Sequence, residues 1–266
     1  MAGCPRSQES CDLIISRFPS RYDRPVLIAA GIASLAVIVA ACLVGFACRA
    51  GGVSLLRAGA VVAIVMALQL ALAARGVLGD WSYVPPPIMA VIVVAVLLAL
   101  AVALSAVGAR MADRLPFALL VGYQSFRLPL ELVMHRAATT GLMPVQMSFS
   151  GWNFDIVSGA LAIPVAWLAA SGRASRGLIL AWNLVGTLLL ANIVVIAVAS
   201  TPIFAAFGPD RLNTWIADPP YIWLPGVLVP AALFGHVLTW RKLARGRRRL
   251  PNEGQAPQSI SVRSAE

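Results

Sequence analysis

The chain has 266 residues, of which 59% are hydrophobic and only 12% are charged, and its mean hydropathy is +0.83. Water-soluble domains carry about 25% charged residues, so this composition excludes an ordinary soluble globule. The formal net charge of +10 comes almost entirely from arginine. Because these arginines flank apolar runs instead of forming one binding face, nucleic acid is excluded as a partner.

The apolar runs predict an all-α, polytopic transmembrane helix bundle. They are continuous, rich in Ala, Leu and Val, and near or above the ~18 residues of a spanning helix. The strands of a membrane β-barrel would instead be short and alternating. In chain order, the seven predicted spans cover residues 25–46, 57–74, 88–108, 117–138, 153–170, 177–199 and 221–240.

These spans form one predicted transmembrane domain, residues 25–240. A polar tail, residues 1–24, precedes it, and a basic, disordered tail, residues 241–266, follows it. The first run is too long, and starts too late, for a cleaved signal peptide. Cys4 and Cys11 could form a disulfide if the first tail is outside the cell, although unpaired thiols are the simpler interpretation.

Charge and aromatic residues predict the orientation. With the basic carboxyl tail inside, most arginine pairs also lie inside, which puts the amino end outside. Six aromatic residues would then form one belt at the outer interface: Trp81, Tyr83, Trp152, Trp215, Tyr221 and Trp223. The alternative is six spans plus a re-entrant fourth segment, and the arginine count does not decide between the two. We expect a multi-pass protein of the bacterial inner membrane.

A polar stripe interrupts the fourth span. On a helix, Gln124, Arg127, Glu131 and His135 fall within about 80° of one another. Such a stripe is costly in hydrocarbon and has to face protein, water or a ligand. Arg127 and Glu131 are four residues apart and are predicted to pair within their own helix, beside a kink at Pro129. The pair could be a structural lock or part of a functional pocket.

Further polar residues are predicted to lie at a similar depth. Asn153 is a natural N-cap of the fifth span, and Asp155 in its first turn is favoured by the helix dipole. A sharper hypothesis brings Asn153 and Asp155 to Glu131 and His135, joined by Asn192 of the sixth span. Either interpretation fits the sequence.

Two other polar residues are predicted to lie elsewhere. Asn183 is placed deeper and is expected to form an interhelical hydrogen bond. His236 is remote from His135 by depth, so we predict no zinc site and no metal. The seventh span has no lysine for retinal, and the chain has no phosphate-binding glycine loop. We predict no cofactor.

One motif resembles a known family. It joins Gln124-Ser-Phe-Arg127, Pro129 and Glu131 to Gly141, Pro144, Met147, Phe149, Gly151 and Asn153-Phe-Asp155. This motif is similar to that of a family of uncharacterised bacterial polytopic integral membrane proteins. The resemblance extends loosely through Trp182-Asn183, Asn192, Ser200-Thr-Pro202 and Trp223-Leu-Pro-Gly226. It implies one membrane domain over spans four to seven and no particular activity.

The function expected first is transport of a small solute, linked to a proton or ion, through a polar pocket. The candidate pocket residues are Gln124, Arg127, Glu131, His135, Asn153, Asp155 and Asn192. Glu131 or Asp155 would take up the proton or cation. A membrane enzyme acting on a lipid or isoprenoid, with Glu131 and His135 as acid and base, is an alternative.

A third hypothesis is a non-catalytic assembly or sensory subunit. Its polar seam would bind a partner subunit or a second copy of the chain. The short loops favour transport or assembly over an enzyme. The other expected partners are the bilayer itself and anionic lipid headgroups, which the basic segment Arg241–Arg249 would attract.

Overall fold

In the computed structural model the chain is described from residue 23 to residue 248, and within that range it is helical without strands. The nine α-helices of this range are α1 (Asp23–Arg49), α2 (Leu55–Ala74), α3 (Pro87–Leu104), α4 (Ala106–Arg114), α5 (Phe117–Gly122), α6 (Arg127–Thr139), α7 (Ile156–Ala170), α8 (Arg176–Ala199) and α9 (Val229–Arg248). Cys4, Cys11 and Arg249 lie outside the described residues, as does most of both predicted tails.

Four of these helices are long and apolar enough to cross a membrane. They contain apolar stretches of 25, 20, 18 and 24 residues, in α1, α2, α3 and α8 respectively. At 1.5 Å per residue these stretches measure about 27 to 38 Å, which matches a hydrocarbon layer of about 30 Å. The predicted all-α fold with several apolar helices of spanning length is therefore confirmed. Helix α7 is also apolar but shorter, at 15 residues.

The third predicted span ends one turn earlier than the sequence suggested. Ser105 is the C-cap of α3 and the N-cap of α4, with an extended backbone. Its Oγ accepts hydrogen bonds from the backbone N–H groups of Val107, at 3.1 Å, and Gly108, at 3.4 Å. This cap starts a separate helix, because it satisfies the free N–H groups of the new first turn.

The fourth predicted span is not one helix. The short helix α5 runs into a 3-10 segment, Tyr123–Phe126, and α6 starts at Arg127. Pro129 consequently lies in the first turn of α6, where its missing N–H needs no intrahelical partner. The predicted kink at Pro129 within one helix is therefore not what is found: the break is the 3-10 segment before Arg127, and Arg127 is the first residue of α6.

The last pass begins with a π-helical segment, Leu224–Leu228, that continues into α9. Gln69 of α2 donates a hydrogen bond from Nε2 to the Gly226 carbonyl at 3.2 Å. A Cβ on Gly226 would lie 2.6 Å from the end of the Gln69 side chain, so a larger residue would require Gln69 to move. Helix α9 then extends to Arg248, beyond the predicted end at residue 240, so residues 241–248 are helical.

Arginine and lysine side chains hold one end of the bundle together, which we call the basic end. Arg110 donates to the Gly51 carbonyl, and Arg245 donates to the Ala109 carbonyl, each at 2.8 Å. Lys242 donates to the Ala112 carbonyl at 3.0 Å. These bonds tie α4 to the loop after α1 and to the last turns of α9.

At the opposite end, called the loop end, the long connections pack on one another. Gln146 Nε2 donates to Ser200 Oγ at 3.0 Å and to the Arg211 carbonyl at 2.9 Å. Trp215 and Tyr221 are buried, with their rings 4.8 Å apart. They therefore belong to the core and are not part of the predicted aromatic belt at the outer interface.

Helices α6 and α7 make backbone contact at Gly159. An added Cβ there would lie 2.5 Å from the Leu128 nitrogen and 2.9 Å from the Arg127 carbonyl carbon. Real Cβ atoms do not approach backbone so closely, so any side chain at this position would force the two helices apart. This close approach sets the distance between the two segments that carry the polar residues.

We expect Gly159→Ala to lower the free energy of unfolding by about 1–3 kcal/mol, the usual cost of overpacking a tight contact. The measurement is thermal unfolding of the purified protein in detergent micelles. Gly45→Ala is the matched control, because a Cβ on Gly45 of α1 meets no atom within 4 Å. Equal stability of the two variants would contradict the contact.

Candidate functional site

The guanidinium of Arg127 is the centre of a buried polar cluster. Arg127 is only 1% exposed, and Asp155, at the N-cap position of α7, is 4% exposed. Arg127 Nε donates to Asp155 Oδ2 at 2.6 Å, and Nη2 donates to Asp155 Oδ1. The result is a bidentate ion pair between α6 and α7, the geometry in which arginine binds carboxylates most specifically.

The remaining arginine donors reach two more helices. Nη1 donates to Ser158 Oγ at 2.7 Å and lies 2.9 Å from His236 Nε2. The Gly186 carbonyl of α8 lies 3.4 Å from Nη1 and 3.5 Å from Nη2. Arginine can donate five hydrogen bonds, and these contacts occupy all of them. One side chain thus joins α6, α7, α8 and α9.

The contacts of His236 determine its tautomer. Arginine only donates hydrogen bonds, so His236 Nε2 must accept and the ring proton lies on Nδ1. Nδ1 then donates to Asn183 Oδ1 at 2.8 Å. Asn183 Nδ2 in turn donates to the His236 carbonyl at 3.3 Å, which forms the interhelical hydrogen bond predicted for Asn183.

Glu131 is 2% exposed and binds an amide, not a cation. Its two carboxylate oxygens accept from Asn153 Nδ2 at 2.8 and 2.9 Å. The predicted pair of Arg127 and Glu131 within one helix is therefore wrong. Arg127 starts α6 and points toward α7, where Asp155 offers both oxygens.

The predicted N-cap of the fifth span is also wrong by two residues. Asp155 occupies the N-cap position of α7, but its side chain makes no cap hydrogen bond because it binds Arg127. Asn153 Oδ1 accepts from the backbone N–H of Asp155 at 3.1 Å, while its Nδ2 also donates to the Met147 carbonyl at 3.0 Å. Asn153 therefore fixes the turn that presents Asp155.

The structure brings four of the seven predicted pocket residues together: Arg127, Glu131, Asn153 and Asp155. The other three lie elsewhere. Gln124 is fully buried and donates to the Ala232 carbonyl at 2.9 Å. His135 Nδ1 lies 2.9 Å from Ser150 Oγ, and its ring stacks on Phe149. Asn192 is exposed and donates to the Trp152 carbonyl at 2.9 Å.

Sequence reasoning missed Ser158, Gly186 and His236 as members of the cluster. The predicted depths in the membrane separated His236 from His135, but they did not indicate how far His236 lies from Arg127. The one signal for Ser158 was its position three residues after Asp155, on the same face of α7. Nothing in the sequence indicates that the Gly186 carbonyl lies against Arg127.

An apolar cavity of about 120 Å³ lies beside the cluster. Its walls come from α3, α6, α8, the π-helical segment and α9; those of α3 and α8 are Met89, Ile92, Val96, Leu190, Ile193, Val194, Ala197 and Val198. Arg127, Glu131 and Asp155 also line it, as do Thr201 and Asn213 from the loop end. The side chain of Glu131 thus borders both the polar cluster and an apolar space.

The cavity lies where two helices fail to pack directly. Within residues 23–248, α3 and α8 each pack against α9, but they are not among the helix pairs in close contact with each other. Val194, which lines the cavity, is 37% exposed. The space therefore reaches the surface of the molecule between α3 and α8.

No metal-binding group is evident in the part of the chain that the structure describes. There, no three side chains of His, Cys, Asp and Glu lie close enough together to hold an ion. His236 is engaged by Arg127 and Asn183 on its two ring nitrogens.

No protein-family model matches the chain, and comparison with curated proteins and with solved structures finds no significant match. The family resemblance inferred from the motif therefore stays a prediction.

We expect Asp155→Asn to lower the free energy of unfolding by about 3–5 kcal/mol, because it leaves the buried Arg127 charge without its counter-ion. Thermal unfolding in detergent micelles measures the change. Glu131→Gln is the matched control: it removes a buried carboxylate four residues from Arg127 but leaves the ion pair intact. A loss as large in Glu131→Gln as in Asp155→Asn would contradict the observed pairing.

Proposed function

We propose that this protein is a multi-pass membrane protein that takes up a lipid-like molecule, an apolar chain with a small polar group, into the cavity between α3 and α8. The observation that carries the proposal is an apolar cavity with the buried carboxylate of Glu131 in its wall. Ligand pockets combine this kind of apolar lining with a few placed polar groups.

The position of the cavity supports entry from the bilayer. The gap between α3 and α8 faces lipid, so a hydrocarbon chain could enter sideways without crossing water. A cavity of about 150 Å³ lined by apolar residues is known to bind benzene. A space of about 120 Å³ therefore suits a short segment of an acyl or prenyl chain. The rest of a longer molecule would lie in the gap.

The polar cluster supports a binding role for Glu131 and a structural role for Arg127. The arginine is neutralised by Asp155 and has all its donors engaged. Glu131 has only Asn153 as a side-chain hydrogen-bond partner among residues 23–248, and a carboxylate can accept about four hydrogen bonds. Glu131 is thus the charged group available to a ligand.

We further propose seven crossings of a bacterial inner membrane, with the amino end outside. Three segments support the additional crossings: α5 to α6, α7, and the π-helical segment with α9 each run between the basic end and the loop end. In a chain whose four native cysteines are replaced by serine, Tyr83→Cys should react with an impermeant maleimide in spheroplasts, and Arg173→Cys should not. Labelling in the reverse order would refute this orientation.

Transport of a proton or ion linked to a small solute is the second candidate. It rests on Glu131, a carboxylate that borders the cavity and has no cationic side chain within hydrogen-bond distance among residues 23–248. Buried acids of this kind form proton relays in transporters. Proton flux into liposomes should then be lost in Glu131→Gln and kept in Asn192→Leu, an exposed residue of α8. Flux that persists in Glu131→Gln would exclude this role.

The basic end supports the proposed contact with anionic lipid. Arg241, Lys242 and Arg245 donate to backbone carbonyls of the α3–α4 region, so their charges are held at one membrane surface. Basic residues in such positions each contribute about 1 kcal/mol of attraction to an anionic leaflet. The measurement is the melting temperature of the protein in vesicles with and without phosphatidylglycerol. An unchanged melting temperature would argue against the contact with anionic lipid.

We expect Val194→Trp to reduce capture of a photoreactive lipid analogue by the cavity at least severalfold, because the indole fills the gap between α3 and α8. The measurement is cross-linking in vesicles followed by mass spectrometry of the cavity peptides. Val195→Trp is the matched control, since Val195 is the next residue of α8, is 65% exposed and does not line the cavity. Equal capture by both variants would contradict the proposed entry.

A further inference from the structure

A few polar side chains interrupt the apolar wall of the cavity. Five polar or charged residues line it: Arg127, Glu131, Asp155, Thr201 and Asn213. The first three lie toward the middle of the bundle, and the last two lie at the loop end. What each can still offer to a ligand depends on the hydrogen bonds it already makes.

The donors of Arg127 and Thr201 are engaged. All arginine N–H groups of Arg127 bind Asp155, Ser158, His236 or Gly186. The Thr201 hydroxyl donates to the Val198 carbonyl at 2.7 Å. A ligand that needs strong donors, such as a carboxylate or phosphate, would find none free on these two residues.

Two acceptors remain available. Asn213 is fully buried, and its Nδ2 donates to the Ala197 carbonyl at 3.1 Å. Its Oδ1 has no hydrogen-bond partner among the described residues. Buried side-chain oxygens are normally paired, so the unpaired Oδ1 of this residue in the cavity wall is free to accept from a ligand that donates. Glu131 is the second acceptor, since its carboxylate accepts from Asn153 alone.

The charges in the cavity wall also favour a ligand that donates hydrogen bonds. The ion pair of Arg127 and Asp155 is neutral as a unit, so Glu131 leaves the cavity wall with negative charge when ionised. The ionised carboxylate would repel an anionic head, and the low dielectric of the surroundings would strengthen that repulsion. A neutral or cationic donor would be accepted.

We propose that the polar group of the bound molecule is a hydrogen-bond donor, a hydroxyl or an amine on an apolar chain, and not a carboxylate or a phosphate. The inference rests on the proposed uptake of a lipid-like molecule. The hydroxyl or amine donates to Asn213 Oδ1 at the loop end or to the Glu131 carboxylate toward the middle of the bundle.

The test compares four dodecyl photoprobes with the same mid-chain diazirine and different heads: alcohol, amine, carboxylic acid and methyl ester. The full chain is reconstituted in phosphatidylcholine vesicles, and labelled cavity peptides are quantified. We expect the alcohol and the amine to label the cavity about tenfold more than the acid, the ratio that one well-made hydrogen bond can supply.

Two variants assign the acceptor. Asn213→Leu should lower alcohol labelling toward that of the methyl ester if Asn213 is the partner, and Glu131→Gln should raise labelling by the acid if Glu131 repels it. Asn192→Leu is the control and should change nothing. Melting temperatures identify a variant that fails to fold, and the other variant then decides.

The outcomes separate the two proposals. Equal labelling by all four heads, stronger labelling by the acid, or an unchanged preference in both variants would overturn the donor inference while leaving uptake intact. Failure of every probe to label the cavity, the methyl ester included, would overturn the proposed uptake itself.

Discussion

The buried charge of Arg127 constrains the rest of this structure. A guanidinium is always ionised in proteins, and its five donors need acceptors wherever water is excluded. Asp155, Ser158, Gly186 and His236 supply them from three other helices. Four helices are thereby fixed in register around one side chain. Breaking such a pair costs far more than forming it gains, because the remaining charge would be buried alone.

Local backbone features follow from that requirement. The 3-10 segment, Tyr123–Phe126, ends where Arg127 begins α6, and Gly159 allows the backbones of α6 and α7 to touch beside it. Gly186 leaves room for the His236 ring, since an added Cβ would lie 2.6 Å from its Cε1. Two glycines on neighbouring helices thus permit the approach that the arginine contacts require, as in other membrane bundles with small interface residues.

Asp155 and Glu131 have different roles because Arg127 binds only Asp155. Asp155 neutralises the arginine and holds the bundle, whereas Glu131 is held by an amide and borders the apolar cavity. If Arg127 had paired with Glu131, the carboxylate would be engaged and the cavity wall would offer little to a ligand. The proposed function therefore depends on which acid the arginine binds.

The sequence by itself determined the class of protein and the importance of one segment. Long apolar runs predicted the membrane helices, because burying a backbone in lipid requires continuous helical hydrogen bonding. The cost of charge in hydrocarbon identified Arg127 and Glu131 as interior residues, whereas Asp155 had a local explanation in the first turn of the fifth span. Only the tertiary structure decided their partners. Periodicity gives the face of one helix, but it does not say which helices are neighbours or how they are rotated. For that reason the sequence could not place His236 beside Arg127, remove His135 and Asn192 from the pocket, or reveal the gap between α3 and α8.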